Sequence, residues 1–160
     1  MKKTLVLSLG SNLGNRYAYL VQAISAISKS FNTHCKVASF YETPPWGDSN
    51  QAKFINTVAT LETEKAALEC IQILQQIENT MGRTKTHKWG PRCIDIDIVF
   101  YEKEVIQDTS LSIPHPRMHE RAFVLKPCAE LIPHFEHPKL NKTVMSLFSN
   151  VLDNTTLFLA

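Results

Sequence analysis

The 160-residue sequence contains no run of about 18 apolar residues, so no membrane-spanning helix is expected. It has no Cys-x-x-Cys pair. Cys35, Cys70, Cys93 and Cys128 lie far apart, which argues against a structural zinc site or a disulfide framework and fits reduced thiols in a cytoplasm. Excess charge is missing too. Lys and Arg number 17 against 15 Asp and Glu, and the net +2 is too small to favour nucleic acid or an anionic membrane. There is no Walker A loop and no Gly-x-Gly-x-x-Gly; Gly10-Ser11-Asn12-Leu13-Gly14 has neither spacing, and residues 10–15 read as a tight turn. That turn breaks the short apolar start without a small-residue cleavage pattern, so residues 4–9 read as a first strand and not as a signal peptide. Repeats, low-complexity segments and linkers are absent. The 44% apolar and 20% charged composition suits one domain over residues 1–160.

The most informative stretch present is Trp89-Gly90-Pro91-Arg92-Cys93-Ile94-Asp95-Ile96-Asp97-Ile98-Val99-Phe100. Its period of two predicts a strand. Ile94, Ile96, Ile98 and Phe100 are expected on one face, with Cys93, Asp95, Asp97 and Val99 on the other. Same-face neighbours stand roughly 7 Å apart, and two carboxylates there repel unless a cation lies between them. Magnesium suits such a pair, because it takes one or two carboxylates and keeps its other positions for water and substrate phosphates. Alone, Asp-x-Asp is equally compatible with a solvated strand face. The flank favours chemistry: Arg83, Lys85, Lys88 and Arg92 lie just upstream, and cations beside a metal-type pair make a polyphosphate site.

Tyr17, Leu20, Val21, Ile24, Ile27 and Phe31 fall at helical spacing, with Asn15 as N-cap. Residues 37–41 read as a strand and residues 42–50 as a proline-stiffened loop. Residues 54–61 form the next strand, with Phe54, Asn56, Val58 and Thr60 on one face. A second helix is expected over residues 65–81, with the stripe Leu68, Ile71, Leu74, Ile77 and Met81 and the stop Gly82. A hairpin over 104–112, the rigid Pro114-His115-Pro116, a helix over 121–131 and an amphipathic stretch over 144–152 complete the chain. The order strand, helix, strand, strand, helix, strand predicts an α+β fold. It is a ferredoxin-like antiparallel sheet (βαββαβ) covered by helices, with a helical C-terminal extension.

Three further groups carry chemistry by type. The loop Thr43-Pro44-Pro45-Trp46-Gly47 offers backbone groups to a ligand, although an ordinary proline turn accounts for it as well. Phe54 and Asn56 share a strand face, where a flat heterocycle would stack on the ring and meet the amide. A buried Phe with a satisfied Asn is the plain alternative. His115, held between prolines, and Arg121 suit phosphate oxygens, although a structural histidine accounts for His115 alone.

Together, several segments resemble the 6-hydroxymethyl-7,8-dihydropterin pyrophosphokinase family of folate biosynthesis, from about residue 4 to residue 133. They are Ser8-Leu9-Gly10-Ser11-Asn12-Leu13-Gly14-Asn15-Arg16, Tyr41-Glu42-Thr43-Pro44-Pro45-Trp46-Gly47, Phe54-Ile55-Asn56, Met81-Gly82-Arg83, Trp89-Gly90-Pro91-Arg92 with Ile94-Asp95-Ile96-Asp97, and Ile113-Pro114-His115-Pro116-Arg117 with Arg121-Ala122-Phe123. The resemblance implies transfer of pyrophosphate from ATP to the hydroxymethyl oxygen of the pterin, with release of AMP. It implies two Mg2+ ions held by Asp95 and Asp97 and catalytic roles for Arg83 and Arg92. It implies ATP contacts at Gln75, Glu78, Arg83, Lys85, Trp89, Arg92, Ile98, Ser112, His115 and Arg121. The pterin would lie between Phe54 and Phe123, with Asn56 reading its edge and Thr43, Pro44 and Trp46 completing the pocket. Phe54 stands where tyrosine is frequent, and Lys85 and Lys88 where arginine is common, so a bidentate grip becomes a point charge. A cytoplasmic, monomeric enzyme acting on small molecules, with no nucleic-acid or membrane partner, is the expectation.

Such chemistry rests on placement and charge neutralisation. No residue stands out as general base; Asp97 and a metal-bound hydroxide are the alternatives. Residues 82–91, polar and basic, are expected to close over ATP as a lid. A nucleic-acid-binding module of this fold would want an aromatic strand signature that is missing here. Another Asp-x-Asp enzyme, such as a nucleotidyltransferase, would not need the pterin-type pocket, and a silent binding protein would not need every charged anchor.

Overall fold

The computed structural model of the chain describes residues 1–44, 50, 52–82, 93–153, 155 and 157–160. Strand β1 (Lys3–Ser11) buries Leu5, Leu7 and Leu9 on one face. The alternation runs on past Leu9, so Gly10 and Ser11 continue the strand, where a turn from residue 10 was expected. Helix α1 (Arg16–Phe31) starts at Asn15, whose side chain accepts from the Ala18 amide at 3.1 Å. Its buried stripe is Leu20, Ala23, Ile27 and Phe31; Tyr17 and Val21, expected in the stripe, are exposed at its margin.

The strand expected over 37–41 is two pieces, β2 (Lys36–Val37) and β3 (Tyr41–Thr43). Both pair antiparallel with β4 (Phe54–Thr63). Between them the Thr57 hydroxyl donates to the carbonyls of Ala38 at 3.0 Å and Ser39 at 3.2 Å, a side chain replacing ladder bonds at the bend. Helix α2 (Ala67–Thr80) buries Cys70, Leu74 and Ile77, whereas Leu68 of the expected stripe is exposed. Gly82 follows with a φ of 83°, a left-handed conformation that favours glycine at a helix end. After β5 (Asp95–Tyr101) come a small hairpin, β6 (Ile106–Gln107) and β7 (Ser112–Ile113), and a 3-10 turn at Met118–Glu120. Helices α3 (Ala122–Leu131) and α4 (Val144–Ser149) follow, and then a C-terminal strand that the sequence did not announce, β8 (Phe158–Leu159).

The strands lie in the order β5-β1-β4-β3-β8, with β2 also on β4, and every pairing is antiparallel. This is the expected ferredoxin-like order. Leu5, Leu7, Leu9, Ile55, Leu61, Ile96 and Ile98 pack with α1 and α2 on one face. Val6, Val58 and Phe100 pack with Val124, Leu125, Cys128 and Val144 on the other. Each such side chain stabilises the fold by about 1.5–3 kcal/mol through burial.

β5 departs from the expected alternation at one point. Val6 pairs with Phe100 and Leu7 with Ile98, so Val99 is an extra residue, a β-bulge. The bulge turns Phe100 to the α3 side; it does not share a face with Ile96 and Ile98. Cys93 also differs. It precedes the strand and lies in the α1–α2 core, with its sulfur 3.8 Å from the Met81 carbonyl, and it does not share the aspartate face. All four cysteines are buried free thiols, and no helix among the described residues is long and apolar enough to cross a membrane.

Candidate active site

Cross-strand register builds the site. Gly10 in the central strand β1 is paired with Asn56 on one side and Asp95 on the other. Two residues back, Ser8 is paired with Val58 and Asp97. Strands run about 4.8 Å apart, so Asn56 and Asp95 stand on the order of 10 Å apart across a row whose middle member has no side chain. The two aspartates and the amide therefore share one face, separated by a trough floored by Gly10 and Ser8. A Cβ at Gly10 would meet the Asn56 Oδ1 at 2.7 Å and the Phe54 Cδ1 at 3.5 Å. Glycine is what lets the amide lie over the strand.

The trough opens into a cleft lined by Thr43, Pro44, Phe54, Asn56, Asp95, Asp97, His115, Arg121 and Phe123, all expected site residues. Ser8, Gly10, Val99, Met118 and Val124 complete the lining. The sequence reading assigned no role to these five. The signal for Gly10 and Ser8 was present: they alternate with Leu5, Leu7 and Leu9. The cleft has an empty volume of about 820 Å³, solvent at its mouth included.

Asn56 is buried and donates through Nδ2 to the Thr43 hydroxyl at 2.8 Å, which fixes the plane of its amide. At the start of α3 the Arg121 guanidinium lies 5.7 Å from the centre of the Phe123 ring. Burial lowers the Arg121 pKa below its ordinary value against the pull of Asp97, and it stays cationic at neutral pH. Burial, reinforced by Arg121, pushes the His115 imidazole down to about 4 despite Asp95. Its Nδ1 accepts from the Arg117 amide at 3.2 Å, so the neutral ring carries its proton on Nε2, a donor suited to an anionic oxygen. The preceding Ile113–Pro114 bond is cis.

Other expected residues lie away from this cleft. Ile98 points into the α1–α2 core, so only its backbone is available to a ligand. Gln75 is exposed on α2, and Ser112 sits in β7. Glu78, also on α2, is buried, and its carboxylate accepts from the Ile96 amide at 2.9 Å, between the two aspartates. Trp46, Arg83, Lys85, Lys88, Trp89 and Arg92, and the lid expected over 82–91 apart from Gly82, lie outside the described residues.

The chemistry of the donor set suits magnesium. Among the described residues no three His, Cys, Asp or Glu side chains gather to hold a metal, which leaves the same-face pair Asp95 and Asp97. Two carboxylates facing an open trough fit an ion completed by water and phosphate oxygens.

A profile of the 7,8-dihydro-6-hydroxymethylpterin-pyrophosphokinase (HPPK) family matches residues 6–133. A Bacillus subtilis protein named 2-amino-4-hydroxy-6-hydroxymethyldihydropteridine pyrophosphokinase is 42% identical over 137 residues, covering 85% of this chain and 82% of the relative. A Haemophilus influenzae protein of the same name is 43% identical over 129 residues, covering 80% of this chain and 81% of the relative. Among solved structures, wild-type Plasmodium falciparum HPPK-DHPS with STZ-DHP superposes with a TM-score of 0.74 at 15% identity. The match covers 93% of this chain but 43% of that one, and it speaks for the fold alone.

Proposed function

The chain belongs to the 7,8-dihydro-6-hydroxymethylpterin-pyrophosphokinase family, and we propose that the cleft between Asn56 and Asp95 is where it acts. The reaction is transfer of pyrophosphate from ATP to the hydroxymethyl oxygen of 6-hydroxymethyl-7,8-dihydropterin, with AMP as the other product, in folate biosynthesis. One observation carries the assignment: a single row across three strands holds the amide at one end and the first aspartate at the other, with only Gly10 between.

Asn56, oriented by Thr43, reads the edge of the pterin, and Phe54 and Phe123 hold its faces. The hydroxymethyl group then points along the trough toward the aspartates. Asp95 and Asp97 would hold the two Mg2+ ions, which would supply charge neutralisation on the triphosphate and a more electrophilic β phosphorus. His115 donates from Nε2 to a phosphate oxygen, and Arg121 stays charged beside the same oxygens. Arg83 and Arg92, with Lys85 and Lys88, balance charge on the transferred and leaving groups, and Trp89 borders the nucleotide. Trp46 and Pro44 close the pterin rim. Gln75, Glu78, Ser112 and the Ile98 backbone meet the nucleotide only where it wraps round the outer edge of β5. The free thiols suit a cytoplasmic enzyme, working as a monomer on small molecules.

Incubation with ATP, Mg2+ and the hydroxymethyl-dihydropterin, with both products identified by mass, tests the reading. AMP and the pterin pyrophosphate are expected. ADP, or free pyrophosphate as from a nucleotidyltransferase, would overturn it.

A further inference from the structure

The segment after residue 133 lies beyond the matched family profile, yet it reaches the cleft wall. Helix α3 starts without a cap from the side chain of its own N-cap residue, Arg121. The Ala122 amide donates instead to Oδ2 of Asp153, 31 residues away, at 3.0 Å. The other oxygen, Oδ1, accepts from the Thr155 amide at 3.0 Å. Burial pushes the Asp153 carboxyl up, but hydrogen bonds from Thr155 and Ala122 outweigh it and hold the group below its ordinary value. An ionised carboxylate thus sits against the positive end of α3. Two residues of the cleft flank that amide: Arg121 before it and Phe123 after it. The far end of α3 is fixed separately. Glu130 accepts from the Ser39 amide at 2.9 Å and from the Tyr41 hydroxyl. Beyond Asp153, Phe158 and Leu159 pair with Glu42 and Tyr41, next to Thr43 of the cleft.

We propose that Asp153 is a positioning residue for the pterin slot: from the C-terminal segment it sets the first turn of α3 and thereby the placement of Phe123. The inference rests on the pterin reading of the cleft. It makes the C-terminal segment a working part of the site.

The test is pterin affinity by calorimetry, with a non-hydrolysable ATP analogue and Mg2+ present, for five proteins: wild type, Asp153→Ala, Asp153→Asn, Phe123→Ala and the Asp153→Ala/Phe123→Ala double variant. Losing a helix cap of ordinary strength corresponds to about a fivefold change in an equilibrium constant. Asp153→Ala is expected to weaken pterin binding about fivefold. Asp153→Asn, which keeps one accepting oxygen but loses the charge and the second acceptor, is expected to fall between wild type and the alanine variant. In the Phe123→Ala background the Asp153→Ala change is expected to add nothing, because the ring it positions is gone. A general loss of stability would instead weaken both backgrounds alike, and that result overturns the proposal. So does an Asp153→Ala protein that binds as wild type. Wild type that does not bind pterin brings down the pterin reading itself, and this inference with it.

Discussion

Replacing Gly10 with alanine probes the register argument at its narrowest point. The new methyl carbon would stand 2.7 Å from the Asn56 Oδ1, whereas ordinary contact begins at 3.4 Å, so about 0.7 Å must be found. Asn56 cannot slide away from β1. Its Nδ2 is already 2.8 Å from the Thr43 hydroxyl on the opposite side, so the amide is pinched between β1 and β3. It must rotate out of its plane. The Phe54 ring, 3.5 Å from the new carbon, stays in place. Rotation takes the paired donor and acceptor off the pterin edge, and misaligned hydrogen bonds of this kind cost about 1–3 kcal/mol. Pterin affinity should fall about 5- to 150-fold.

Stability should barely change in the same variant. Alanine in a strand interior recovers about 0.5–1 kcal/mol relative to glycine, which offsets the lost Asn56–Thr43 bond of about 1 kcal/mol. The assay is pterin titration and thermal unfolding on the same sample. Unchanged affinity with an unchanged melting temperature would refute the role of Asn56. A collapse of both would show that Gly10 serves folding and not recognition.

Asp97→Ala should abolish turnover and weaken Mg2+-dependent ATP binding measured by calorimetry, and an active variant would remove the metal assignment. Glu78→Ala should speed hydrogen exchange of the Ile96 amide and raise the Mg2+ concentration for half-maximal activity about tenfold, since losing a charged acceptor costs about 1.5–3 kcal/mol. Glu78→Gln, still an acceptor, should restore both, and exchange unchanged in Glu78→Ala would refute the anchoring. His137 is buried, and burial, aided by His119, lowers its pKa below the ordinary 6.5. The unfolded chain therefore takes up the proton first as pH falls below about 6.5, so folding stability declines there and is retained above it. In His137→Asn this share of the decline should vanish, as read by melting temperatures at pH 7 and pH 5; equal declines in variant and wild type would refute it.

The sheet order and most of the cleft were legible because period-two and helical spacing record which face is buried. Asn56 and Phe54 shared their predicted face, and Asp95 and Asp97 shared theirs. What stayed hidden were long-range events. The bulge at Val99 depends on β1 pairing opposite it, so the local alternation put Phe100 on the wrong side. The bend at residues 38–40 is made by Thr57, which lies on another strand. Gly10 read as a turn because glycine breaks structure locally, whereas its smallness is needed by a neighbour 46 residues on. The cap from Asp153 to Ala122 spans 31 residues and has no periodic signature at all.

The bulge also explains why the cleft exists on a face that is otherwise core. Along β1 that face carries Val6, then Ser8, then Gly10, from bulky to bare. At the Val6 end, Val6 and the Phe100 opposite it cluster with Leu125 and Cys128 of α3 and Val144 of α4, and the space is filled. At the Gly10 end nothing large projects from β1, so the row stays open between Asn56 and Asp95. Strict alternation in β5 would have sent Phe100 to the α1–α2 side and left the floor beneath α3 short of a large ring. The extra residue keeps Asp95 and Asp97 on the open stretch and supplies Phe100 to the closed one. A carboxylate pair and a hydrophobic seal thus come from one strand within six residues, and the boundary between them falls at the bulge.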